Sequence, residues 1–371
     1  MTELAQNRAK AAVEVDQFMP SFVPGGMGGT ETYARQVFEA LQRRGDLSLH
    51  AYIPENAQGF TAAGEETAIS GVRAESSTLG RLKNAIGVWL RSQSIRKLLR
   101  TDSIRFVPFS APFLAPRLLS PFVVTVHDVQ HKELPELFSA AEKLYRKFAY
   151  ERPARRADHI ITISEFAKRG IVRHLGVAES KVSVIPLGVD TEKFVPNFME
   201  REDFVYYPAR GWAHKNHPRL IAAMEIVRRT RPELRLVLTG GALDALGELP
   251  SWVENRGLVP FEEVQELFRR ARVLAFPSLY EGFGFPPLEA MASATPVAAS
   301  TAASIPEICG EAAIYFDPTD PVSIAEGILR AIEERDQLVP LGLARVKQFT
   351  WEDCASGHAE VFHRVAAKVS R

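Results

Sequence analysis

Glu281 and Glu289 stand eight positions apart in "YEGFGFPPLEA" (280–290), on either side of a turn built from Gly, Phe and Pro. Carboxylates are strong acceptors for vicinal hydroxyls, so one of the pair can hold a hexose and the other a ribose. The backbone amides of Gly284 and Phe285 face the same space, where they can meet sugar or phosphate oxygens. "RVLAFPS" (272–278) reads as a buried strand leading into the turn. "PPLEAMAS" reads as the start of a helix, with Pro at first positions that need no donor. Glu281 then lies in the loop over the strand end, and Glu289 about two turns further on, reaching back along the same face. A glutamate pair with no role is the competing reading, because the spacing alone decides little.

Three other stretches carry chemistry-bearing residues at element ends. "ARGWAHKNHPRL" (209–220) puts Arg210 and Lys215 between a strand and a helix, where a fork and a point charge can neutralise a diphosphate. A solvated basic loop is the alternative. His127-Asp128 closes "FVVTVHD" (122–128), and a His at the C-terminal end of a parallel strand can donate to a substrate oxygen. A strand-ending polar pair would look the same. "PGGMGGTE" (24–31) follows the first strand, and its glycines let amides approach an anion at a helix N-terminus. Its spacing fits neither the dinucleotide fingerprint nor the phosphate loop, so a flexible turn stays open.

The elements that position these residues alternate strand and helix from end to end. "HIITIS" (159–164), "KVSVIPLG" (181–188), "DFVYYPA" (203–209) and "LRLVLTGG" (234–241) read as strands. "HPRLIAAMEIVRRT" and "FEEVQELFRRA" have helical spacing between them. Such alternation implies parallel sheets covered by helices on both faces. The polar stretch 190–203 separates two such series and reads as a linker. Two doubly wound α/β domains would face each other across a cleft lined by strand C-terminal ends.

Composition narrows the class. With 371 residues, 46% apolar and 24% charged, the chain can bury two ordinary cores and is not a disordered one. Net charge is zero, which gives no overall field for nucleic acid. The two cysteines, Cys309 and Cys354, are far apart, against a disulfide framework or zinc site. No apolar run is long enough to span a bilayer, and the first residues lack the apolar centre of a signal peptide. A cytoplasmic protein is expected. Residues 81–100, "RLKNAIGVWLRSQSIRKLLR", carry six cations and no acid among apolar residues. Basic helices of this kind lie on anionic bilayers, and a solvated helix is the alternative.

Taken together, the stretches resemble the retaining glycosyltransferases of the GT-B fold, specifically glycosyltransferase family 4. "EGFGFPPLEAMASATPVAAS" carries the family's Glu-x7-Glu motif, supported by "IPLGVDTEKF" and "HKNHPRLIAAM", and the likeness runs through nearly the whole chain. The resemblance implies an acceptor domain at 1–195, rejoined by a last helix at 352–371, and a nucleotide-sugar domain at 204–351. It implies that Arg210 and Lys215 hold the donor diphosphate, Glu281 the sugar hydroxyls and Glu289 the ribose. Gly282, Phe283, Gly284 and Phe285 would line the donor site, with Val259 beside the base. Gly28 and Gly29 would face the phosphate, and His127 would hydrogen-bond the transferred sugar. Many relatives have Gly-Arg where this chain has Ala209-Arg210, which makes Lys215 the firmer of the two cations.

No Asp-x-Asp motif is present, so protein cations are expected to replace a metal, with no cofactor. Same-face attack, with a donor phosphate oxygen taking the acceptor proton, is the mechanism favoured in the family. "PARGWAHKNHPRL" is similar to the version in bacterial mannosyl- and rhamnosyltransferases. GDP-mannose is therefore the first donor expected, UDP- and dTDP-sugars follow, and the acceptor is a glycan or lipid-linked sugar. Lipid-linked acceptors would bring the basic segment to the inner face of the plasma membrane. A GT-B epimerase, a phosphorylase or a non-catalytic nucleotide-sugar binder are the competing functions.

Overall fold

The computed structural model describes residues 12–61, 65–75, 77–109 and 120–369. The first eleven residues, including those read for a signal peptide, lie outside them. The chain divides into two compact units. The first runs through Ile163 and takes in Ala167–Pro186 and the segment from Trp351; the second holds Ser164–Phe166 and Leu187–Thr350.

In the first unit the described strands are β1 (Val13–Phe18), β2 (Leu47–Pro54), β3 (Glu66–Ile69), β4 (Ile104–Val107), β5 (Phe122–Thr125), β6 (His159–Thr162) and β7 (Val182–Val184). They form one parallel sheet in the order β3-β2-β1-β4-β5-β6-β7. The order reverses between β1 and β4, which marks the switch point of a doubly wound sheet. β1 is polar for a central strand, and its partners explain why that is tolerated. Buried Asp16 accepts from Arg100 Nε at 2.6 Å and Ser103 Oγ at 2.6 Å. Gln17 Nε2 donates to the Ala34 carbonyl at 3.1 Å. A buried charge survives when it is paired and bonded in this way.

The basic segment 81–100 is not one helix. Helices Thr78–Leu90 and Ser92–Leu98 meet at Arg91, and Arg100 leaves the basic face to bind Asp16. Val88, Ile95 and Leu99 enter the core, while Ile86, Trp89 and Leu90 stay exposed. Among the described residues no helix is long and apolar enough to cross a membrane.

The second unit contains β8 (Glu202–Pro208), β9 (Arg235–Thr239), β10 (Val253–Asn255), β11 (Ala271–Phe276), β12 (Val297–Ser300) and β13 (Ile314–Phe316). These too are parallel, in the order β10-β9-β8-β11-β12-β13. Its core is aromatic at the centre, where Phe204, Tyr206, Tyr207, Phe268 and Phe276 are fully buried. The stretch 190–203, read as a linker, instead packs on this unit. Phe194 is buried edge-on against Phe261 and Phe268, with ring centroids 5.7 Å from each. The guanidinium of Arg201 donates to the carbonyls of Asn197, Phe268, Arg269, Ala271, Ser293 and Ala294. Polar composition concealed this staple, because the groups that Arg201 satisfies are backbone carbonyls that no sequence pattern reports.

Candidate functional site

Strand order in the second unit reverses between β8 and β11, so the loops that follow these two strands open at the same end of the sheet. Arg210 and Lys215 sit in the first of those loops and Glu281 in the second. The loop after β8 lies directly on the loop after β9. Gly211 N donates to the Gly241 carbonyl at 3.0 Å, and a Cβ on Gly211 would sit 2.1 Å from the Ala242 oxygen. A Cβ on Gly240, whose φ is +137°, would sit 2.5 Å from the Ala209 oxygen. Only glycine allows the two backbones this close. The loops after β8 and β11 are joined by Leu279 N donating to the His214 carbonyl at 2.8 Å. Buried Tyr207 adds a hydroxyl that donates to the Lys215 carbonyl at 2.8 Å.

These supports bring Lys215 and Glu281 together. The ammonium Nζ lies 2.6 Å from Glu281 Oε1, and both side chains are mostly buried, at 16% and 13% exposure. Arg210 has no carboxylate partner among the described residues and lies over the Trp212 ring, 5.3 Å from its centroid. The site thus pairs one cation with a carboxylate and leaves a second free for an anion. Asn216, left-handed at φ +63°, caps helix His217–Val227 and donates through Nδ2 to the carbonyls of Pro277 and Pro318. Asn tolerates that conformation better than most residues, which explains its place between Lys215 and the helix.

The Gly-Phe-Gly-Phe turn ends at Gly284, whose φ of +117° sets the N-cap of helix Phe285–Ala292. Ser304 Oγ lies 2.9 Å from the carbonyls of both Glu281 and Phe283 and fixes the turn from beneath. Gly282 and Phe283 are buried, and Phe283 packs edge-on against Phe285 and Phe349. Glu289 is the fifth residue of the helix, little more than one turn in, because the helix already begins at Phe285. Its carboxyl has no hydrogen-bond partner among the described residues, and burial pushes its pKa up to about 7. Val259 is half-buried in the loop after β10, next to exposed Leu258, whose side chain reaches over Gly241.

The remaining candidates belong to the first unit. Gly28 is the N-cap of helix Gly29–Gln42, with φ 55° and ψ −135°, a backbone region for glycine. Gly29 opens the helix, and the amides of Glu31 and Thr32 already donate to the Gly28 carbonyl at 2.9 and 3.2 Å. Part of the loop's capacity for anions is used internally: Gly25 N donates to Glu31 Oε2 at 2.8 Å, and Arg35 Nε holds Glu31 Oε1 at 3.1 Å. His127 lies two residues beyond the end of β5. Its Nε2 is 3.1 Å from the Pro108 carbonyl, so that nitrogen is the donor and Nδ1 keeps the lone pair. Burial lowers its pKa, against a smaller raising effect of Asp128. The donor read for a substrate oxygen is therefore already engaged, and His127 offers an acceptor.

Sequence reasoning missed the supporting residues. Asn216 before His-Pro had a visible signal, a small polar residue at a helix start, and so did the glycine pair after β9. Ser304 and Tyr207 had none, since their role depends on carbonyls distant in sequence.

Switch-point loops, a lysine–carboxylate pair and a half-buried carboxyl on the next helix suit an anionic, hydroxyl-bearing ligand, and comparison with known proteins gives the class, a glycosyltransferase. Residues 27–193 match the family model described as Glycosyltransferase Family 4, and residues 202–334 match that described as Glycosyl transferases group 1. The two matches together support a GT4-type glycosyltransferase resembling bacterial mannosyltransferases. It is 28% identical over 269 residues to the O-antigen chain mannosyltransferase B of Escherichia coli, covering 66% of this chain and 70% of that protein. It is 31% identical over 215 residues to the O-antigen chain mannosyltransferase RfbU of Salmonella typhimurium, covering 56% of this chain and 59% of that protein. The sucrose-phosphate synthase of Thermosynechococcus elongatus shares the fold, with a TM-score of 0.76 at 18% identity over 96% of this chain and all of that one, by a coverage of 100%. The fold class is GT-B, with two doubly wound parallel-sheet units.

Proposed function

We propose that the protein is a retaining hexosyltransferase that moves a sugar, mannose from GDP-mannose in the first instance, onto a glycan or lipid-linked acceptor of a surface polysaccharide. The Lys215–Glu281 pair carries this reading, because it sets a fixed cation against a hydroxyl-binding carboxylate at the sheet's switch point. Likeness to O-antigen mannosyltransferases supports the choice of sugar. In this reading Arg210 and Lys215 hold the diphosphate, Glu281 the hexose hydroxyls and Glu289 the ribose diol. The amides from Gly282 to Phe285 meet sugar or phosphate oxygens, and Val259 sits beside the base.

The second unit is the donor domain and the first the acceptor domain, where Gly28, Gly29 and His127 face the reacting groups. The bond from the anomeric carbon to the diphosphate breaks as the acceptor oxygen bonds to the same face. The acceptor proton passes to a donor phosphate oxygen. Arg210 and Lys215 take up the charge that develops on the leaving group, with no cofactor needed. His127, through Nδ1, accepts from a hydroxyl of the transferred sugar. A UDP- or dTDP-sugar transferase and a nucleotide-sugar epimerase are the next readings.

The exposed face of Ile86, Trp89 and Leu90, beside Arg81, Lys83, Arg91, Arg96 and Lys97, suits contact with an anionic bilayer at the inner surface of the plasma membrane. Flotation with anionic vesicles tests that contact, and no binding at low salt removes it. For the reaction, thermal stabilisation by a panel of nucleotide-sugars identifies the donor, since a ligand of the folded state raises its melting point. Transfer of labelled mannose from GDP-mannose to a lipid-linked acceptor should follow. A protein stabilised by no nucleotide-sugar would overturn the proposal.

A further inference from the structure

Three consecutive residues of the loop after β8 are tied to three consecutive residues of the loop after β11, in antiparallel order. The His214 carbonyl accepts from Leu279 N at 2.8 Å. The Lys215 carbonyl accepts from the Tyr207 phenol at 2.8 Å, and the phenol oxygen lies 3.1 Å from Ser278 Oγ. Asn216 Nδ2 donates to the Pro277 carbonyl at 3.0 Å. A carbonyl can only accept, so the phenol proton goes to Lys215 and the Ser278 hydroxyl donates to the phenol. The middle link alone runs through a side chain that belongs to neither loop, because Tyr207 lies on β8 itself.

Both backbone groups of Lys215 are thereby committed. Its N–H donates to the Trp212 carbonyl at 2.9 Å, within the short turn Ala213–Lys215, and its carbonyl is held by Tyr207. Tyr207 and Ser278 are fully buried, so water does not compete for these bonds. Burial, and after it the charge of Glu281, raise the Tyr207 pKa, which keeps the phenol a donor at neutral pH. Packing does not need the hydroxyl. The ring lies against His217 and Phe276, with centroids 4.9 and 6.0 Å away, and phenylalanine would fill the same place. What the hydroxyl adds is the link to Lys215, whose ammonium stands 2.6 Å from Glu281. A lysine stem is flexible, so its fixed backbone groups limit where the charge can stand.

We propose that Tyr207 is a positioning residue for the transfer reaction: its hydroxyl holds Lys215 where the ammonium meets the donor diphosphate, and Ser278 orients the phenol. The inference rests on the diphosphate role proposed for Lys215. It adds the buried group that keeps that cation in place.

The test is a double-mutant cycle of Tyr207→Phe with Lys215→Ala, read both as nucleoside diphosphate affinity and as melting temperature. Calorimetry of the full chain with GDP, UDP and dTDP selects the nucleotide that wild type binds. Tyr207→Phe should weaken that nucleotide about tenfold, because a displaced cation meets the diphosphate poorly. In the Lys215→Ala background the same change should weaken it less than about twofold, since the group being positioned is gone. Melting temperature should fall equally in both backgrounds, because the same buried bond is lost. Ser278→Ala should show the same pattern with a smaller loss, and it decides the matter if Tyr207→Phe does not fold. Equal weakening in both backgrounds overturns the proposal and leaves the phenol a part of the fold only, as does no weakening on the wild-type background. Unchanged nucleotide affinity in Lys215→Ala would instead remove the diphosphate role of Lys215, and this inference with it, so the two failures are told apart.

Discussion

The phenol of Tyr33 lies 2.7 Å from Nε2 of His358, a pair separated by 325 positions in the chain. His358 Nδ1 is 2.7 Å from the Cys354 carbonyl, so Nδ1 carries the proton and Nε2 accepts from Tyr33. Thr125 Oγ1, 2.6 Å from the same phenol oxygen, donates to it in turn. The Tyr33 ring stands edge-on to His127 at 4.9 Å. The last helix, Trp351–Val369, is thereby part of the first unit's core, next to a candidate site residue.

Removal of that buried imidazole leaves a cavity and a phenol O–H without its acceptor, though Thr125 still donates to the phenol oxygen. His358→Ala should cost about 2–4 kcal/mol in denaturant unfolding, and Tyr33→Phe less, about 1 kcal/mol. A loss below 0.5 kcal/mol for His358→Ala would show that the helix is not held there.

Acid should unfold the protein through the same kind of group. Burial lowers the pKa of His159, His217 and His358 to about 4 each. Each is depressed below its unfolded value near 6.5, so the unfolded chain binds more protons between the two values. The histidine contribution is full above pH 6.5 and is lost as pH drops towards 4. Melting temperatures measured across that range should decline steadily, and less steeply in His358→Gln.

Glu289 titrates with the opposite sign. Its folded pKa of about 7 exceeds the unfolded value of 4.5, so it contributes stability at low pH that is lost as pH rises through 7. Binding of a ribose diol needs the ionised acceptor, and bound hydroxyls favour that form. Nucleotide affinity should therefore rise as pH passes through about 7, and Glu289→Gln should abolish the rise and lower affinity about tenfold. An unchanged pH profile in the Gln variant would remove Glu289 from the ribose role.

Lys215 and Glu281 should behave as one unit. Either removed alone leaves a mostly buried charge unpaired, while removal of both does not. A double-mutant cycle on stability should give a coupling of about 1–3 kcal/mol. Lys215→Ala should also lower transfer by about a hundredfold or more through loss of charge stabilisation, with Glu281→Ala similarly affected. Additive stability changes would show that the two do not depend on each other.

How much of this was readable before the fold is clear from particular residues. The alternation of apolar runs and helical spacing is a local signal, so two doubly wound units and their switch-point loops followed from it. Arg210, Lys215 and Glu281 stood out because charged residues at strand ends are locally conspicuous, and Glu289 by its spacing from Glu281. The hidden part is long-range. Arg201 looks like one more charge in a polar stretch until the carbonyls from Phe268 to Ala294 converge on it. His127 looks like a free donor until the Pro108 carbonyl, nineteen positions earlier, accepts its Nε2–H. The limits of "FVVTVHD" failed for the same reason: Val126 still donates to the Ile161 carbonyl, but the chain leaves the ladder after Thr125.

Arg201 and Gly211 test the same principle in the second unit, that its loops are held through the backbone rather than by side-chain packing. Arg201 is 4% exposed; its Nη1 and Nη2 donate to carbonyls and Thr295, its Nε has no partner, and no carboxylate among the described residues balances it; burial lowers its pKa to about 10. Lysine presents three donors on one atom and cannot reach carbonyls on two sides, so Arg201→Lys should cost nearly as much as Arg201→Met, about 3 kcal/mol. Gly211→Ala acts more locally. Its Cβ would overlap the Ala242 oxygen at 2.1 Å, and the loop bearing Arg210 must move to relieve it. Stability should fall by about 1–3 kcal/mol, and nucleotide affinity should fall further than in Arg201→Met at equal stability. If the two variants lost affinity only in proportion to stability, the close approach of the loops after β8 and β9 would be a feature of folding and not of the site.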